Sequence, residues 1–314
     1  LLYRFGKKLI NKVLLFTLIL TLTIILSGCV TGKSFSKNSS ANPLNIIPSD
    51  FSVYLKINES AEGIPVIGRK LGKFSAEMGI PKSLKERTDD IAAVFIKDNW
   101  GYIVAQGSYP ESLIKEKLEE SEEWETGSYS KIKYYFSDST KIIIIMLKNT
   151  IVVSDYRKGK EQRSDSADLR AKRIIDIIKS NETVTYPLVA DSVFHITSKN
   201  PDIVFTQFVT ENVNLDTIKE VNFDIILHPK KKKSGGINIS FLVEDEKKAL
   251  LFNSVIRLFI SDYVVKKKIT DVKTLRENNS IYQDGIFVHV NISDISLEKL
   301  NIFITDFIGE ANWL

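Results

Sequence analysis

Apolar and polar residues alternate with a period of two through Phe51-Ser-Val-Tyr-Leu-Lys-Ile57, which puts Phe51, Val53, Leu55 and Ile57 on one side of a half-buried strand. The period then changes: Ile67, Leu71, Phe74 and Met78 recur at helical spacing until Pro81. Ile91 to Lys97 and Tyr102 to Ala105 predict two strands about the turn Asp98-Asn99-Trp100-Gly101. Ser108-Tyr109-Pro110-Glu111 predicts a helix start closed by a capping box, and Leu113, Ile114 and Leu118 carry that helix to an acidic end between Glu116 and Glu125. Three more strands are expected over Lys131 to Phe136, Lys141 to Leu147 and Thr150 to Ser154. Ile142 to Met146 is apolar on both faces, so its strand must be covered on both. A polar connection then leads into a helix striped by Ala167, Ala171, Ile174 and Ile178.

The second half repeats this grammar. Ala190 to Thr197 echoes Ser49 to Lys56, Val221 to Leu227 echoes Ile91 to Lys97, and Ile237 to Val243 echoes Tyr102 to Gly107, with a later strand at Ile286 to Ile292. The pattern predicts an α+β protein of two similar lobes of antiparallel sheet, with amphipathic helices packed on one face. The expected boundaries are a first lobe over 46–187, with its connecting helix, and a second over 188–314.

The helix expected over Lys248 to Lys268 departs from an ordinary surface helix. Leu250, Leu251, Phe252, Val255, Ile256, Leu258, Phe259, Ile260, Tyr263, Val264 and Val265 cover most of its circumference, leaving Asn253, Arg257 and Ser261 as a narrow polar strip. Lysines bracket it, with Lys266, Lys267 and Lys268 at one end. A helix sandwiched between two layers has this composition, and so does one whose apolar side meets lipid while its lysines reach headgroups. A C-terminal helix striped by Leu297, Leu300, Ile304, Phe307 and Ala311 and widened by Phe303 and Ile308, followed by Trp313, fits an interfacial anchor or a lid on the core equally well. On the lipid reading the contact residues are Leu251, Phe252, Val255, Phe259, Tyr263, Lys266, Lys267, Lys268, Phe303, Phe307 and Trp313. Lys230 to Lys233 reads as a solvated hairpin tip, with anionic headgroups as the alternative contact.

The first residues follow a different rule. Arg4, Lys7, Lys8 and Lys12 precede an uncharged run from Val13 to Leu26, too short to span a bilayer and shaped like the leader of an exported protein. It ends in Leu26-Ser27-Gly28-Cys29, which holds the only cysteine of the chain. This tetrad resembles the lipobox of bacterial lipoproteins. The resemblance implies a signal peptide over 1–28, acylation of Cys29, and a flexible tether over 29–45. Val30, where such families place Asp for retention at the inner membrane, implies the outer membrane. The lipobox, the Ile/Lys/Asn-rich composition and the amphipathic helices together resemble spirochaete outer-membrane lipoproteins that insert helices into a leaflet.

Charge narrows the partners. The formal charge of +4 comes from 43 basic and 39 acidic residues, and the four basic residues of the leader supply the whole excess, so no nucleic-acid partner is expected. With a single cysteine there is no internal disulfide, and stability must come from burial. His195, His228 and His289 lie apart in expected strands, and no HExxH, GxSxG, Walker or GxGxxG motif occurs. The reading is a non-enzymatic, cofactor-free envelope protein, held to membrane lipid by acylated Cys29, whose helices bind lipid or the membrane surface. Its alternatives are an envelope scaffold that binds another protein, and a solute-binding lipoprotein, the last disfavoured because the strands read as antiparallel.

Overall fold

The computed structural model describes residues 43–77, 86–96, 100–156, 166–179, 192–228, 234–278 and 280–309. The chain is an α+β protein, and within each of its two units the strand pairings are antiparallel among the described residues. It divides into two compact units. One comprises 1–51 and 72–186, the other 52–71 and 187–314. Strand β1 (Phe51–Asn58) and the first turns of helix α1 (Pro65–Glu77) therefore belong with the second half of the chain, rather than with a first lobe over 46–187. The reason is pairing. The two strands read as equivalent repeats lie side by side, Leu55 opposite Ile196 and Ile57 opposite Phe194, so their apolar sides form one surface.

The first unit contains β2 (Thr88–Ile96), β3 (Trp100–Gly107), α2 (Glu111–Glu120), β4 (Glu125–Tyr129), β5 (Ile132–Ser137), β6 (Ile142–Leu147), β7 (Thr150–Asp155) and α3 (Ala167–Lys179), with sheet order β2-β3-β7-β6-β5-β4. Strand β6 is buried from Ile142 to Met146 and covered on both sides. Ile114 and Leu118 of α2 pack on Tyr135, Ile142, Ile144 and Met146, while α3 lies on the other side, where Tyr134 donates to Asp168. A strand apolar on both faces needs two covers, so the helices of this unit are shared between the faces instead of collected on one. The expected capping box of α2 does not form. Pro110, which has no side-chain oxygen, occupies the cap, and Glu111 accepts from the backbone N–H of Asn149 across the unit. Strand β4 has a polar sequence with no apolar alternation, and follows a helix end that reads as continuing to Glu125. It pairs with β5 through a two-residue turn, with Ser130 and Lys131 both at positive φ, and sets Gly127 beneath the ring of Tyr134. Any Cβ at Gly127 would collide with that ring.

The second unit adds β8 (Ser192–Ser198), α4 (Pro201–Val204), α5 (Gln207–Asn212), β9 (Ile218–Leu227), β10 (Ser234–Val243), α6 (Glu246–Lys266), α7 (Val272–Glu277), β11 (Ile281–Asp284), β12 (Phe287–Ser296) and α8 (Leu297–Phe307), with sheet order β11-β12-β10-β9-β8-β1. One face of this sheet is apolar: Phe194, Val221, Phe223, Ile225, Ile237, Ile239 and Phe241 are all buried. Helices α6 and α8 lie over it, with the ring of Phe252 5.0 Å from that of Phe241. The short helices α4, α5 and α7 and the four-residue β11 are too brief to leave a periodic signature.

Candidate functional site

Helix α6 begins at Asp245, whose carboxylate accepts the N–H of Lys248 at 2.8 Å. At about 100° per residue its side chains separate into two sets. Ala249, Phe252, Asn253, Ile256, Ile260, Tyr263 and Val264 are buried against the sheet and α8. Leu250, Leu251, Val255, Leu258 and Val265 face outward, with Leu251 63% and Leu258 75% exposed. The polar strip of Asn253, Arg257 and Ser261 is only partly the solvent side, with Asn253 buried, Ser261 half-buried and Arg257 exposed. It runs along the flank toward β11, where Arg257 donates to the carbonyl of Ile281 at 2.6 Å. A helix this apolar needs only one face for its own sheet, and the other remains uncovered among the described residues.

An aromatic group closes the flank nearer α5. Phe208, 40% exposed, lies with its ring 5.8 Å from both Phe259 and Tyr263. Beneath them Phe303 and Phe307 stack at 4.0 Å, and Phe259 is 5.9 Å from Phe307. Tyr263 donates to Asp306 at 2.9 Å, and burial, aided by that carboxylate, pushes its phenol far above the usual range. Charge surrounds the apolar surface as ion pairs: Lys248 with Glu244, Lys266 with Asp262 at 2.7 Å, and Lys267 with Asp306 at 2.9 Å. Lys268, at positive φ, ends the helix with its side chain exposed.

The structure thus divides the residues that the sequence pattern nominates. Leu251, Val255, Lys266, Lys267 and Lys268 share the outer surface, with Phe259 half-buried at its margin. Phe252, Tyr263, Phe303 and Phe307 are interior, and their role is to seat the helix. Trp313, Cys29 and the Lys230 to Lys233 run lie outside the described residues, as do the leader and nearly all of the tether. Leu250, Leu258 and Val265 belong on the list of exposed apolar side chains, and so does Phe208, whose six-residue helix has no legible stripe. Their signal was present in α6, where an apolar residue at every angle leaves some with no interior to enter. No helix of the described residues is long and apolar enough to cross a membrane.

The second unit also carries a buried polar group on the sheet face opposite α6 and α8. His195 Nδ1 is 2.8 Å from Asp224 Oδ1, and its Nε2 is 2.6 Å from Thr197 Oγ1. Thr197 donates to Asn222 at 2.7 Å, and Asn222 to Glu220 at 3.5 Å. His195 therefore has acid and hydroxyl partners that its sequence neighbours conceal. Thr197 is only 1% exposed, so no substrate reaches that hydroxyl in this conformation. Among the described residues no group of three or more His, Cys, Asp or Glu side chains could hold a metal ion.

No family model matches the chain, and no curated protein does. Solved structures do. The chain is similar to TP0453. Its crystal form IV superposes with a TM-score of 0.50 at 16% identity, over 85% of this chain and 97% of that one. Form III gives 0.49 at 17% identity, over 85% and 98%, and form I gives 0.48 at 17%, over 86% and 99%. At such identities the likeness to form IV is one of fold, and it spans nearly the whole of that chain and 85% of this one.

Proposed function

We propose that this is a lipid-anchored protein of the bacterial cell envelope that rests on a membrane through the outer side of α6. The observation that carries the reading is the exposed row of Leu251, Val255, Leu258 and Val265 on a helix whose opposite side is fully engaged with its own sheet. Water gains nothing from such a row, whereas a bilayer interface accepts leucine and valine and lets flanking lysines lie among headgroups. Lipobox-like Cys29 supports the same picture, because an acyl anchor keeps the domain within reach of that surface at high local concentration.

The test uses the chain from residue 29 onward with Cys29→Ser, so that no acyl chain contributes. It should float with vesicles of phosphatidylglycerol and phosphatidylethanolamine at low salt, and less so at high salt. Absence from the vesicle fraction under both conditions, for a chain that is folded by circular dichroism, would remove the surface-binding reading. Recovery of a stoichiometric envelope protein on the same helix would replace it with the scaffold reading.

A further inference from the structure

The polar group of the second unit has a hydrogen-bond inventory that closes only with one extra proton. Each of its members is less than one-tenth exposed: His195, Thr197, Glu220, Asn222 and Asp224. They alternate along β8 and β9, and the register sets His195 beside Asp224 and Thr197 beside Asn222. Four links join them in a row, Asp224 to His195 to Thr197 to Asn222 to Glu220. A threonine hydroxyl has one proton to give, a neutral imidazole one N–H, and a carboxylate none.

Two arrangements satisfy every link. In the first, His195 is an imidazolium that donates to both Asp224 and Thr197. Thr197 then donates to the Asn222 carbonyl, and the Asn222 amide N–H goes to an ionised Glu220. In the second, Glu220 carries the proton and donates to the Asn222 carbonyl, with the amide turned over. The Asn222 N–H then meets Thr197, whose hydroxyl donates to a neutral His195. The two contain the same number of protons and the same net charge, and differ only in where those protons sit and in which way the Asn222 amide is turned. Take that proton away and one link must set two acceptors face to face, which a buried site tolerates poorly.

We propose that Glu220 and His195 share one proton across this chain, and that its loss loosens the pairing of β8 with β9 as pH rises. Among the described residues the charged and titratable groups facing the pair are few. Asp224 lies on β9, Lys56 stands opposite His195 on β1, the Tyr54 ring is 5.7 Å from the imidazole, and Lys199 acts on Glu220. On β10 the residues opposite Asp224 and Asn222 are the neutral Asn238 and Ser240. Burial raises the Glu220 carboxyl above its ordinary range, against the opposing pull of Asn222, Lys199 and His195, which suits a group that keeps a proton.

The experiment follows the imidazole nitrogens of His195 by NMR across pH in the full-length chain, in wild type, Glu220→Gln, Thr197→Val and the double variant. Glutamine can donate or accept, so it completes the row whatever the state of His195. Glu220→Gln should therefore shift the midpoint of the His195 titration, and that shift should disappear in the Thr197→Val background. It should also remove the fall in urea midpoint expected of wild type as pH rises. A shift of equal size with and without the threonine hydroxyl would mean that the two ends feel each other only through space, and would overturn the shared proton. So would a urea midpoint with the same pH dependence in wild type and Glu220→Gln.

Discussion

Replacing Leu251 and Leu258 together by glutamine separates the two jobs of α6. Full burial of a leucine side chain is worth roughly 1.5–3 kcal/mol. With 63% and 75% of these residues exposed, most of that stabilisation is still unrealised in the free protein. If a bilayer interface takes up both side chains, the pair contributes about 3 kcal/mol to binding, and its loss weakens association on the order of 100-fold. Glutamine keeps nearly the helix propensity of leucine, and exposed substitutions usually change folding by about 0.5 kcal/mol or less. The assay is a pair of measurements on the non-acylated chain: partitioning into phosphatidylglycerol-containing vesicles, and the urea midpoint at the same salt. The expected result is a large loss of partitioning with a nearly unchanged midpoint. Unchanged partitioning would refute the assignment of the surface, and a midpoint lowered by a loss of several kcal/mol in folding free energy would show that the two leucines support the fold instead.

Other outcomes follow from the interior. Phe307, 1% exposed and stacked on Phe303 at 4.0 Å, should cost about 3–5 kcal/mol when replaced by alanine, read as a lowered urea midpoint. Asp245→Ala removes the acceptor for the Lys248 N–H and should cost about 1 kcal/mol by the same assay, without altering the outer surface of α6. His289 is held below its ordinary value of 6.5 because burial penalises the charged ring, with Asp284 opposing. A base that resists protonation when folded contributes stability that is present above that value and is lost as pH falls below it. His289→Gln should therefore lessen the decline of the thermal midpoint below pH 6.5; an undiminished decline would place its origin elsewhere.

Particular residues show how far the chain could be read without its fold. The alternation of Phe51 to Ile57 and the doubly apolar run from Ile142 to Met146 specify strands because burial of one face or two leaves a period in the sequence. Strand β4 left none, since an edge strand of Glu, Thr, Gly, Ser and Tyr is defined by its partner and by a turn with two residues at positive φ. The repeat between Ser49 to Lys56 and Ala190 to Thr197 is legible as similarity. That the two segments are neighbours in a single sheet is not, because similar sequence reports similar surroundings and says nothing about which strand supplies them.

The same division holds for function. The amino-acid order alone determined that an apolar run ends at one cysteine in a lipobox-like tetrad, and that α6 carries more apolar surface than one sheet face can use. Which of those side chains stay outside was decided only when the sheet took Phe252, Ile256 and Ile260 and left Leu251 and Leu258. Likewise, His195 reads as a solitary histidine until β8 meets β9 and sets it between Asp224 and Thr197. Periodicity records which faces avoid water, whereas contact between distant strands depends on register, and register is a property of the assembled sheet.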